Sequence, residues 1–477
     1  MNYKGKTVLV AGAGRSGIAA ARFLLGRGAR VVLSDSKTRE ALEPAVSDLL
    51  ESAADSSGEL TLELGGNRRE SFAAADLVVV SPGMPLSLPF FEISRKAGIP
   101  VIAEIELAYR HLKGKIIGIT GSNGKTTTTT LTAELLTGAG IKARAAGNIG
   151  TPLIQFVDGS TPEDVYVVEL SSFQLEAIAA FRPFAATLLN LTPDHMDRYD
   201  GFEEYVAAKA RIFMNQAAGD FAVLNADDQQ TASIINSVRV RPLFFSRTGE
   251  IPAGVFIRNR RVIFHNGKSE KELFPVDAVR IKGAHNMENV LASSLLALCA
   301  GAPPESLEAG IRKFNGVEHR LEHVASIGGV SYFNDSKATN VDAVIKALEA
   351  FPGRIHLIAG GRDKGGDFTV LRPVVGERVT QLILIGEAAG KMRRALSGAA
   401  DIREAASMSE AVKAGRAAAR PGDVVLLAPA CASFDMFENF EHRGRAFKDA
   451  VLALNEDNQR QPAADHKKGD SSAAADH

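Results

Sequence analysis

The sequence predicts an α/β protein built from three domains. Its 477 residues fit about three domains of ordinary size. Short apolar runs alternate with stretches of helical spacing along most of the chain, an order typical of parallel sheets covered by helices. Two glycine-rich turns, at residues 12–17 and 118–127, each follow an apolar run and precede a helical stretch. They predict two turns that approach phosphate groups, one in each of two sheets.

The first glycine-rich turn lies between two predicted strands. Strand Thr7 to Val10 leads into Gly12-Ala13-Gly14-Arg15-Ser16-Gly17 and a helix, and the next strand ends at Asp35. This order matches a Rossmann-like fingerprint, in which glycines let the backbone approach a pyrophosphate and an acid binds a ribose or base. Taken alone, the turn favours a nicotinamide-dependent oxidoreductase, and a purely structural turn is the alternative. A third strand, Leu77 to Val80, ends in Ser81-Pro82-Gly83, another loop at the edge where such sheets bind ligands.

The second turn, Gly118-Ile119-Thr120-Gly121-Ser122-Asn123-Gly124-Lys125-Thr126-Thr127, predicts a nucleoside triphosphate site. It joins an apolar strand to a helical stretch from Leu131, so that backbone N–H groups face a phosphate chain. Lys125 would reach the β- and γ-phosphates, and the Thr126 hydroxyl would bind magnesium. The glycine spacing departs from the strict P-loop pattern. The run Thr126 to Thr130 still favours a functional site, because β-branched residues are poor helix formers.

Three polar residues downstream of this turn are candidates for the same site. Glu169 ends an apolar strand where a further magnesium ligand is expected, with an exposed strand end as the alternative. His195 lies between two acids and is either structural, or a ligand or substrate contact. Lys209, judged from the residues alone, is predicted to be a solvated surface lysine. Short alternating runs between residues 221 and 282 predict hairpins that cover one side of the domain.

Polar clusters follow three of the strands predicted in the last third of the chain. They lie at residues 334–340, 360–364 and 429–435. Because the carboxyl ends of parallel strands share one edge of a sheet, the clusters predict a ligand crevice. The alternative is that they only cap helices, with Asp335 or Ser336 capping the helix from Asn340.

These elements define the expected domain organisation. We expect a Rossmann-like first domain, a central α/β domain of the P-loop ATPase type and a Rossmann-like last domain, at residues 1–110, 111–316 and 317–455. The remaining segment, residues 456–477, is polar and is predicted to be a disordered tail, because it cannot bury enough apolar surface to fold.

Composition excludes several classes of function. A formal net charge of −1 gives no general attraction to nucleic acid or to an anionic membrane. The two cysteines, Cys299 and Cys431, form neither a ligand cluster nor a disulfide framework, which fits a reducing compartment. The N-terminal apolar run is too short for a signal peptide, and no stretch approaches the roughly 20 apolar residues of a membrane span. We therefore expect a soluble, cytoplasmic protein that does not insert into a membrane.

With these motifs in place, the chain resembles the Mur ligase family, which builds the peptide of bacterial cell-wall precursors. The resemblance runs in motif order from about residue 3 to about residue 454 and rests on five segments: GITGSNGKTT, ELSSFQLE, DHMDRY, NDSKATN and PACASFDMFENFEHRG. The last two segments favour the branch that adds D-glutamate to UDP-N-acetylmuramoyl-L-alanine in peptidoglycan synthesis. The resemblance also implies that the first glycine turn holds a UDP-sugar, so that no NAD is used.

The resemblance implies a role for each candidate residue. The residues implied to bind ATP are Gly121, Ser122, Asn123, Gly124, Lys125, Thr126, Thr127, Asn286, Asn289, Arg320 and Asp335. Those implied to hold two magnesium ions are Thr126, Glu169, His195 and Lys209, and the catalytic set is Lys125, Glu169, His195 and Lys209. Those implied to bind the UDP-linked substrate are Arg15, Ser16, Asp35, Ser36, Lys37, Ser81, Gly83 and Asn148. Those implied to bind D-glutamate are His195, Lys337, Thr339, Lys364, Ser433 and Phe440.

Two of these implied assignments depend on chemistry that the sequence does not state. The family carries a carbamylated lysine at the position of Lys209, and a carbamate offers oxygen donors to magnesium where an ammonium would repel it. The family often has Thr-Arg after the acid at position 35, whereas this chain has Ser36-Lys37. A lysine cannot stack on a uracil as a guanidinium does, so Arg39 is the alternative for that contact.

The resemblance implies a two-step ligase reaction through an acyl phosphate, with the domains closing around the substrates. We expect the protein to be a monomer. Three rival interpretations remain open at this point. They are a sister Mur or folylpolyglutamate-type ligase for another amino acid, a nicotinamide-dependent oxidoreductase, and a nucleotide-dependent switch protein. The second leaves the loop at Lys125 without a role, and the third gives no reason for the lysines in the last domain.

Overall fold

The computed structural model describes residues 2–148, 150–196 and 198–460. Its residue contacts divide the chain into two compact units, Met1–Asn315 and Gly316–His477. The first unit contains two sheets and the second contains one. Three α/β layers are therefore present, and the three-domain α/β fold is confirmed. The boundary at residue 110 stays a prediction.

The first sheet has five parallel strands in the order β3-β2-β1-β4-β5. The strands are β1 Thr7–Ala11, β2 Arg30–Asp35, β3 Glu59–Leu64, β4 Leu77–Val80 and β5 Val101–Ala103. The helices are α1 Arg15–Gly26, α2 Ala45–Ala54, α3 Arg69–Ala74, α4 Pro89–Lys96 and α5 Glu104–Tyr109. Strand β1 lies between β2 and β4, so the strand order reverses at the first glycine turn, where open α/β sheets bind ligands.

The second sheet has nine strands in the order β14-β13-β12-β11-β10-β9-β6-β8-β7. The strands are β6 Lys115–Thr120, β7 Ala143–Gly147, β8 Val165–Glu169, β9 Ala185–Leu188, β10 Phe221–Asn225, β11 Pro242–Ser246, β12 Gly254–Arg258, β13 Arg261–His265 and β14 Glu270–Pro275. The helices are α6 Lys125–Gly138, α7 Ser172–Glu176, α8 Phe202–Ala210, α9 Thr231–Ile234, α10 Ala284–Cys299 and α11 Leu307–Lys313.

The hairpins expected between residues 221 and 282 are found only in part. Strand β10 pairs in parallel with β9 and β11, and β11 pairs in parallel with β12, so these strands extend the main sheet. Only β12–β13 and β13–β14 are antiparallel hairpin pairs. The prediction was wrong for β10 and β11, because short apolar runs with turns between them look alike in both arrangements.

The third sheet, in the second unit, has the order β15-β16-β20-β17-β18-β19. The strands are β15 Glu322–Ile327, β16 Val330–Asn334, β17 Ile355–Gly360, β18 Val379–Ile385, β19 Asp401–Glu404 and β20 Val424–Leu427. The helices are α12 Val341–Glu349, α13 Arg372–Arg378, α14 Ala389–Leu396, α15 Met408–Ala418 and α16 Phe440–Arg460. Helix α16 extends into the segment predicted to be a disordered tail, and residues 461–477 lie outside the described part of the chain.

Apolar burial explains why these sheets form. In β17, Leu357 and Ala359 pack into the core on one face of the third sheet, and Ile358 packs into the core on the other. Strands buried on both faces are typical of parallel sheets with helices on each side. In the first unit, one continuous apolar core links the strands of the first sheet to those of the second. Among the described residues, no helix is long and apolar enough to cross a membrane.

Candidate active site

The phosphate loop connects β6 to α6. Gly121 and Gly124 have φ angles of +148° and +86°, which favour glycine. A Cβ atom on Gly124 would also lie 2.2 Å from Asn289 Oδ1 on α10. Because Gly124 is the residue immediately before α6, the loop can bring the unpaired N–H groups of the first helical turn close to a phosphate.

Helix α6 begins at Lys125 and includes the threonine run, although the helical pattern in the sequence begins only at Leu131. Thr126, Thr127, Thr128 and Thr129 are buried. Thr128 Oγ1 lies 3.3 Å from Asn289 Oδ1, and Ser293 Oγ donates to the Thr128 carbonyl at 3.2 Å. Packing against α10 therefore compensates for the low helix propensity of these residues.

Two lysines meet at the carbonyl oxygen of Gly121. Lys125 Nζ donates to it at 2.8 Å and Lys209 Nζ at 2.9 Å. Lys209 is only 2% exposed, so the expectation of a solvated surface lysine was wrong. Burial and the neighbouring Lys125 hold the pKa of Lys209 well below its usual value, while Asp194 and Glu169 act in the opposite direction. Sequence periodicity could not show this, because Lys209 is a charged residue among the buried positions of α8, which are otherwise Tyr205, Ala208 and Ala210.

Glu169 connects three segments of the site. Its Oε2 accepts a hydrogen bond from Thr126 Oγ1 at 2.8 Å, and its Oε1 accepts one from Asn148 Nδ2 at 2.8 Å. Glu169 is 2% exposed, which excludes the alternative of an exposed strand end. A hydroxyl and a carboxylate are hard oxygen donors, so Thr126 and Glu169 fit a magnesium ion.

His195 lies beside an aromatic cluster at the loop after β9. Its ring makes an edge contact with Phe173 at 5.0 Å between centroids, and the Arg198 guanidinium covers the same Phe173 ring at 3.7 Å. His195 has a φ of 57°, in the left-handed region. Arg198 also donates to the carbonyls of Pro82 and Met84, at 3.2 and 2.9 Å. The loop after β4 is thus tied to the His195 segment, of which Asp197 lies outside the described residues.

Several residues that shape the site were not recognised in the sequence. The Asn190 side chain accepts from the Asn123 N–H at 2.9 Å and donates to the Asn123 carbonyl at 3.1 Å. Tyr205 places its hydroxyl 2.9 Å from Ser122 Oγ. Asn190 ends an apolar strand run in the same way as Glu169, and this was the available signal. Nothing in the sequence indicated Tyr205 or the role of Arg198.

The first glycine turn is braced by its own predicted site residues. Asp35 accepts from the Ala13 N–H at 2.7 Å and from the Lys37 N–H at 2.8 Å. Ser81 Oγ donates to the Gly12 carbonyl at 2.9 Å, and Arg15 donates to the Gly150 carbonyl. Of the remaining predicted contacts, Ser16 is half-buried, and the exposed ones are Ser36, Lys37, Gly83 and Asn148. Arg39 bonds to Glu43 at 3.1 Å on the surface.

In the second unit, backbone hydrogen bonds hold the three polar clusters together. The Ala430 N–H donates to the Ala338 carbonyl at 2.9 Å, and Arg362 and Ala432 exchange two bonds of 2.9 Å. The predicted crevice edge is therefore assembled from all three strand ends. Lys337 Nζ lies 3.7 Å from the centroid of the Phe440 ring.

The other predicted residues of this edge differ in exposure. Ser433 is buried, Thr339 is half-buried and Lys364 is exposed. Asp335 is buried, and burial raises its pKa to about 7 against the opposing effects of Arg320 and the Leu321 N–H. Neither Asp335 nor Ser336 caps α12, because the cap is Asn340, whose side chain accepts from the Ala343 N–H at 2.8 Å. Asp335 and Arg320 belong to the second unit, whereas the phosphate loop belongs to the first, so their contact with the nucleotide stays a prediction.

A cluster of Glu318, His319 and Glu322 has the composition of a metal site. However, Lys448 Nζ donates to Glu318 at 2.9 Å and to Glu322 at 2.7 Å, so a lysine cation already bridges the two carboxylates. Burial also lowers the pKa of His319, whose Nδ1 is 2.8 Å from Asn334 Nδ2. The cluster fixes α16 against the β16 strand end and is not a good metal site.

The fold is that of an α/β protein with a glycine-rich loop of the phosphate-binding type in the first unit and lysine-bearing strand ends in the second. Three family models match the chain: the Mur ligase MurD-like N-terminal domain at residues 6–103, the Mur ligase middle domain at 119–297, and the Mur ligase glutamate ligase domain at 319–431. The chain belongs to the Mur ligase family.

Relatives are similar over nearly their full length. The chain is 48% identical over 456 residues to the UDP-N-acetylmuramoylalanine–D-glutamate ligase of Koribacter versatilis, covering 96% of this chain and 99% of that protein. It is 49% identical over 455 residues to the enzyme of the same name from Acidobacterium capsulatum, covering 95% and 97%.

Solved structures of the same fold are more distant. A pseudomurein peptide ligase type C from Methanothermus fervidus is 19% identical, with a TM-score of 0.59 and coverage of 94% of this chain and 100% of that one. A UDP-N-acetylmuramate–alanine ligase from Thermotoga maritima is 17% identical, with a TM-score of 0.56 and coverage of 94% and 99%. At these identities the likeness concerns the fold alone.

Proposed function

We propose that this protein is an ATP-dependent ligase that joins D-glutamate to UDP-N-acetylmuramoyl-L-alanine in peptidoglycan synthesis. The observation that carries this function is the identity of 48 and 49%, over nearly the whole chain, to ligases named for that reaction. The site agrees with it chemically, because a phosphate loop, a buried carboxylate and a lysine-bearing crevice are the parts that such a reaction needs.

The nucleotide binds along the phosphate loop in this proposal. Lys125 turns from the Gly121 and Ser122 carbonyls, where it now donates at 2.8 Å, towards the phosphates. Thr126 and Glu169 hold magnesium, which supplies positive charge that offsets the phosphate charge. The further nucleotide contacts are Ser122, Asn123, Gly124, Thr127, Asn286, Asn289, Arg320 and Asp335.

Lys209 is the least usual member of the site. As a buried ammonium close to Lys125 it would repel a cation, but burial and Lys125 lower its pKa and so favour the neutral amine, which is the form that reacts with carbon dioxide. The resulting carbamate, together with His195, fits a second magnesium ion through its oxygens. We propose that Lys209 is carbamylated in the active protein.

The two organic substrates bind at the two remaining sheet edges. The UDP-linked substrate lies against the first sheet, where the proposed contacts are Arg15, Ser16, Asp35, Ser36, Lys37, Ser81, Gly83 and Asn148. D-glutamate lies at the edge of the third sheet, where the proposed contacts are Lys337, Thr339, Lys364, Ser433 and Phe440, with His195 from the first unit. Two lysines suit a substrate with two carboxylates.

The reaction consists of two displacements. The alanyl carboxylate attacks the γ-phosphorus of ATP, which forms an acyl phosphate and releases ADP. The amine of D-glutamate then attacks the acyl carbon, the carbon–oxygen bond to phosphate breaks, and an amide and inorganic phosphate result. Phosphorylation is needed because an unactivated carboxylate is a poor acyl donor. Exclusion of water protects the acyl phosphate from hydrolysis.

The order of the domains along the chain fits three separate substrate sites. We propose three domains, at residues 1–110, 111–316 and 317–455, acting as a monomer in the cytoplasm. Each domain then contributes one substrate site: the UDP-linked substrate, ATP and the amino acid, in that order along the chain.

Phosphate release tests the proposal directly. Purified protein receives ATP, magnesium and UDP-N-acetylmuramoyl-L-alanine, with D-glutamate, L-glutamate, L-alanine or diaminopimelate in parallel reactions. We expect phosphate release with D-glutamate and background rates with the other amino acids. Equal rates without any amino acid would indicate a nucleotide hydrolase instead, and stimulation by a different amino acid would indicate a sister ligase.

A further inference from the structure

Arg443 is one of the largest fully buried side chains in the described part of the protein. It lies in the first turn of α16, three residues after Phe440, so both residues project from the same side of the helix. A fully buried arginine is rare unless its donors are satisfied, so its contacts show what it holds in place.

The Arg443 guanidinium connects two of the three loops at the crevice edge. Its Nε donates to Ser336 Oγ at 3.0 Å, and its Nη2 donates to the Ser336 carbonyl at 2.8 Å. Its Nη1 donates to the carbonyls of Cys431 and Ala432, at 3.1 and 3.2 Å. Ser336 immediately precedes Lys337, and Ala432 immediately precedes Ser433. The planar fork thus determines the spacing between the segments that carry two proposed D-glutamate contacts.

The charge of Arg443 is also unusual in its surroundings. Its hydrogen-bond acceptors are three carbonyls and a hydroxyl, and no carboxylate of the described residues lies within 4.0 Å of it. Burial lowers its pKa to about 10, with Cys431 and Asp435 opposing, so the side chain stays charged at neutral pH. No described carboxylate pairs with it directly, so its charge is offset only in part, by Asp435, and adds a positive potential at the crevice edge.

We propose that Arg443 is a positioning residue for the second substrate. Arg443 holds the Lys337 and Ser433 segments at a spacing that fits a dicarboxylate, and its positive charge favours a dicarboxylate as the ligand. The inference rests on the proposed D-glutamate ligase function. It assigns to Arg443 no contact with the substrate, because its donors are already engaged by the protein.

Steady-state kinetics of four variants test this role. Arg443→Lys keeps a cation but loses the fork, Arg443→Met loses both, and Ser336→Ala removes one acceptor without changing the helix. Arg445→Met is the matched control, because Arg445 lies on the same helix turn and is exposed. We expect Arg443→Lys to raise the KM for D-glutamate by about 10- to 100-fold, as small misplacements of binding groups do. The KM values for ATP and the UDP-linked substrate, and ADP formation in a single turnover, should stay as in the wild type.

The charge makes a separate prediction. Arg443→Met should lower the preference for D-glutamate over D-glutamine by about 10-fold more than Arg443→Lys does. If Arg443→Met does not fold, Arg443→Lys and Ser336→Ala still test the positioning role. A KM for D-glutamate in these two variants equal to that of the control Arg445→Met would overturn it. Parallel increases in all three KM values would mean a merely structural arginine. A wild-type protein that ignores D-glutamate would instead refute the proposed function.

Discussion

Gly124 offers a single-residue test of the proposal that nucleotide binds at the phosphate loop. Its φ of +86° is unfavourable for any residue with a Cβ atom, and the added atom would meet Asn289 Oδ1 at 2.2 Å. We expect Gly124→Ala to weaken the affinity for a non-hydrolysable ATP analogue by about 10-fold or more, because the loop must move away from α10. Titration calorimetry measures this affinity.

Gly138→Ala is the control for this change, since Gly138 ends the same helix and an added Cβ would have no neighbour within 4 Å. Its affinity should equal that of the wild type. An unchanged affinity in Gly124→Ala would mean that nucleotide does not approach this turn.

Lys209 shows what sequence reasoning lacks at the scale of one residue. The strand–loop–helix pattern selected Lys125 and Thr126 as candidates, because their proposed roles follow from local backbone geometry. Lys209 donates to the carbonyl of Gly121, which is 88 residues away in the sequence, and no local pattern records such a contact. Only the family resemblance suggested that Lys209 belongs to the site.

At the scale of elements, helix α5 carries two buried glutamates with opposite pKa shifts. Burial raises the pKa of Glu104 to about 7, although its Oε1 accepts from the Ile154 N–H, and its Oε2 has no partner among the described residues. Burial acts in the same direction on Glu106, but the N–H groups of Ala179 to Phe181 and the Arg110 guanidinium lower its pKa overall. Each residue therefore gives the protein a distinct dependence of stability on pH.

Glu104 should destabilise the folded protein as pH rises. The Glu104 carboxyl binds its proton more tightly in the folded state than in the unfolded state. The free energy of unfolding is therefore highest below a pH of about 4.5 and falls as the pH rises to about 7. A shift from 4.5 to about 7 corresponds to a loss of about 3 kcal/mol. Glu104→Gln keeps the acceptor for Ile154 and cannot ionise. We expect it to raise the free energy of unfolding at pH 8 and to have little effect at pH 5, as measured by urea denaturation.

Glu106→Gln is the opposite case and serves as the comparison. Because the pKa of Glu106 is lowered in the folded state, its carboxylate stabilises the fold at any pH above the ordinary pKa of a glutamate. This substitution should therefore destabilise the protein at pH 8. If Glu104→Gln and Glu106→Gln changed the free energy of unfolding at pH 8 in the same direction, the opposite pKa shifts inferred from the contacts would be wrong.

Elements were predicted well where their sequence period was clear and poorly where tertiary packing decides. Strands β1, β4 and β20 follow from apolar runs that end in glycine, serine or proline. By contrast, the start of α6 at Lys125 depends on burial of its threonines against α10. The parallel pairing of β10 with β11 depends on which strands lie side by side in the sheet, and a local sequence pattern does not contain that information. The helix cap at Asn340 was missed because Asp335 and Ser336 have equally suitable side chains.

At the scale of the whole molecule, the order of motifs predicted three α/β layers, and the structure confirms them. The crevice edge of the third sheet was also predicted, because carboxyl ends of parallel strands share an edge. What could not be predicted is how that edge is held together. Arg443 and Lys448 belong to α16, a helix whose motif was recognised by resemblance only. Their contacts with Ser336 and Glu318 join residues that are 107 and 130 positions apart.

Most of the proposed ATP and amino-acid residues belong to different units, which predicts that the two half-reactions can be separated. Lys125 belongs to the first unit, whereas Lys337, stacked on Phe440 at 3.7 Å, belongs to the second. We expect Lys125→Ala to abolish ADP formation. Lys337→Ala should form ADP and acyl phosphate in a single turnover as the wild type does, yet yield no amide, because only the second substrate is lost. Acid-quenched reactions in which ADP and amide are counted separately measure both steps.

Exposed lysines of each unit, changed in Lys113→Ala and Lys413→Ala, are the controls and should leave both half-reactions intact. Normal amide formation by Lys337→Ala would refute the placement of the amino-acid site on the third sheet. Loss of ADP formation in the same variant would carry a different meaning, namely that the second unit is needed before phosphoryl transfer. The ratio of ADP to amide therefore distinguishes a site for the second substrate from a site that both steps share.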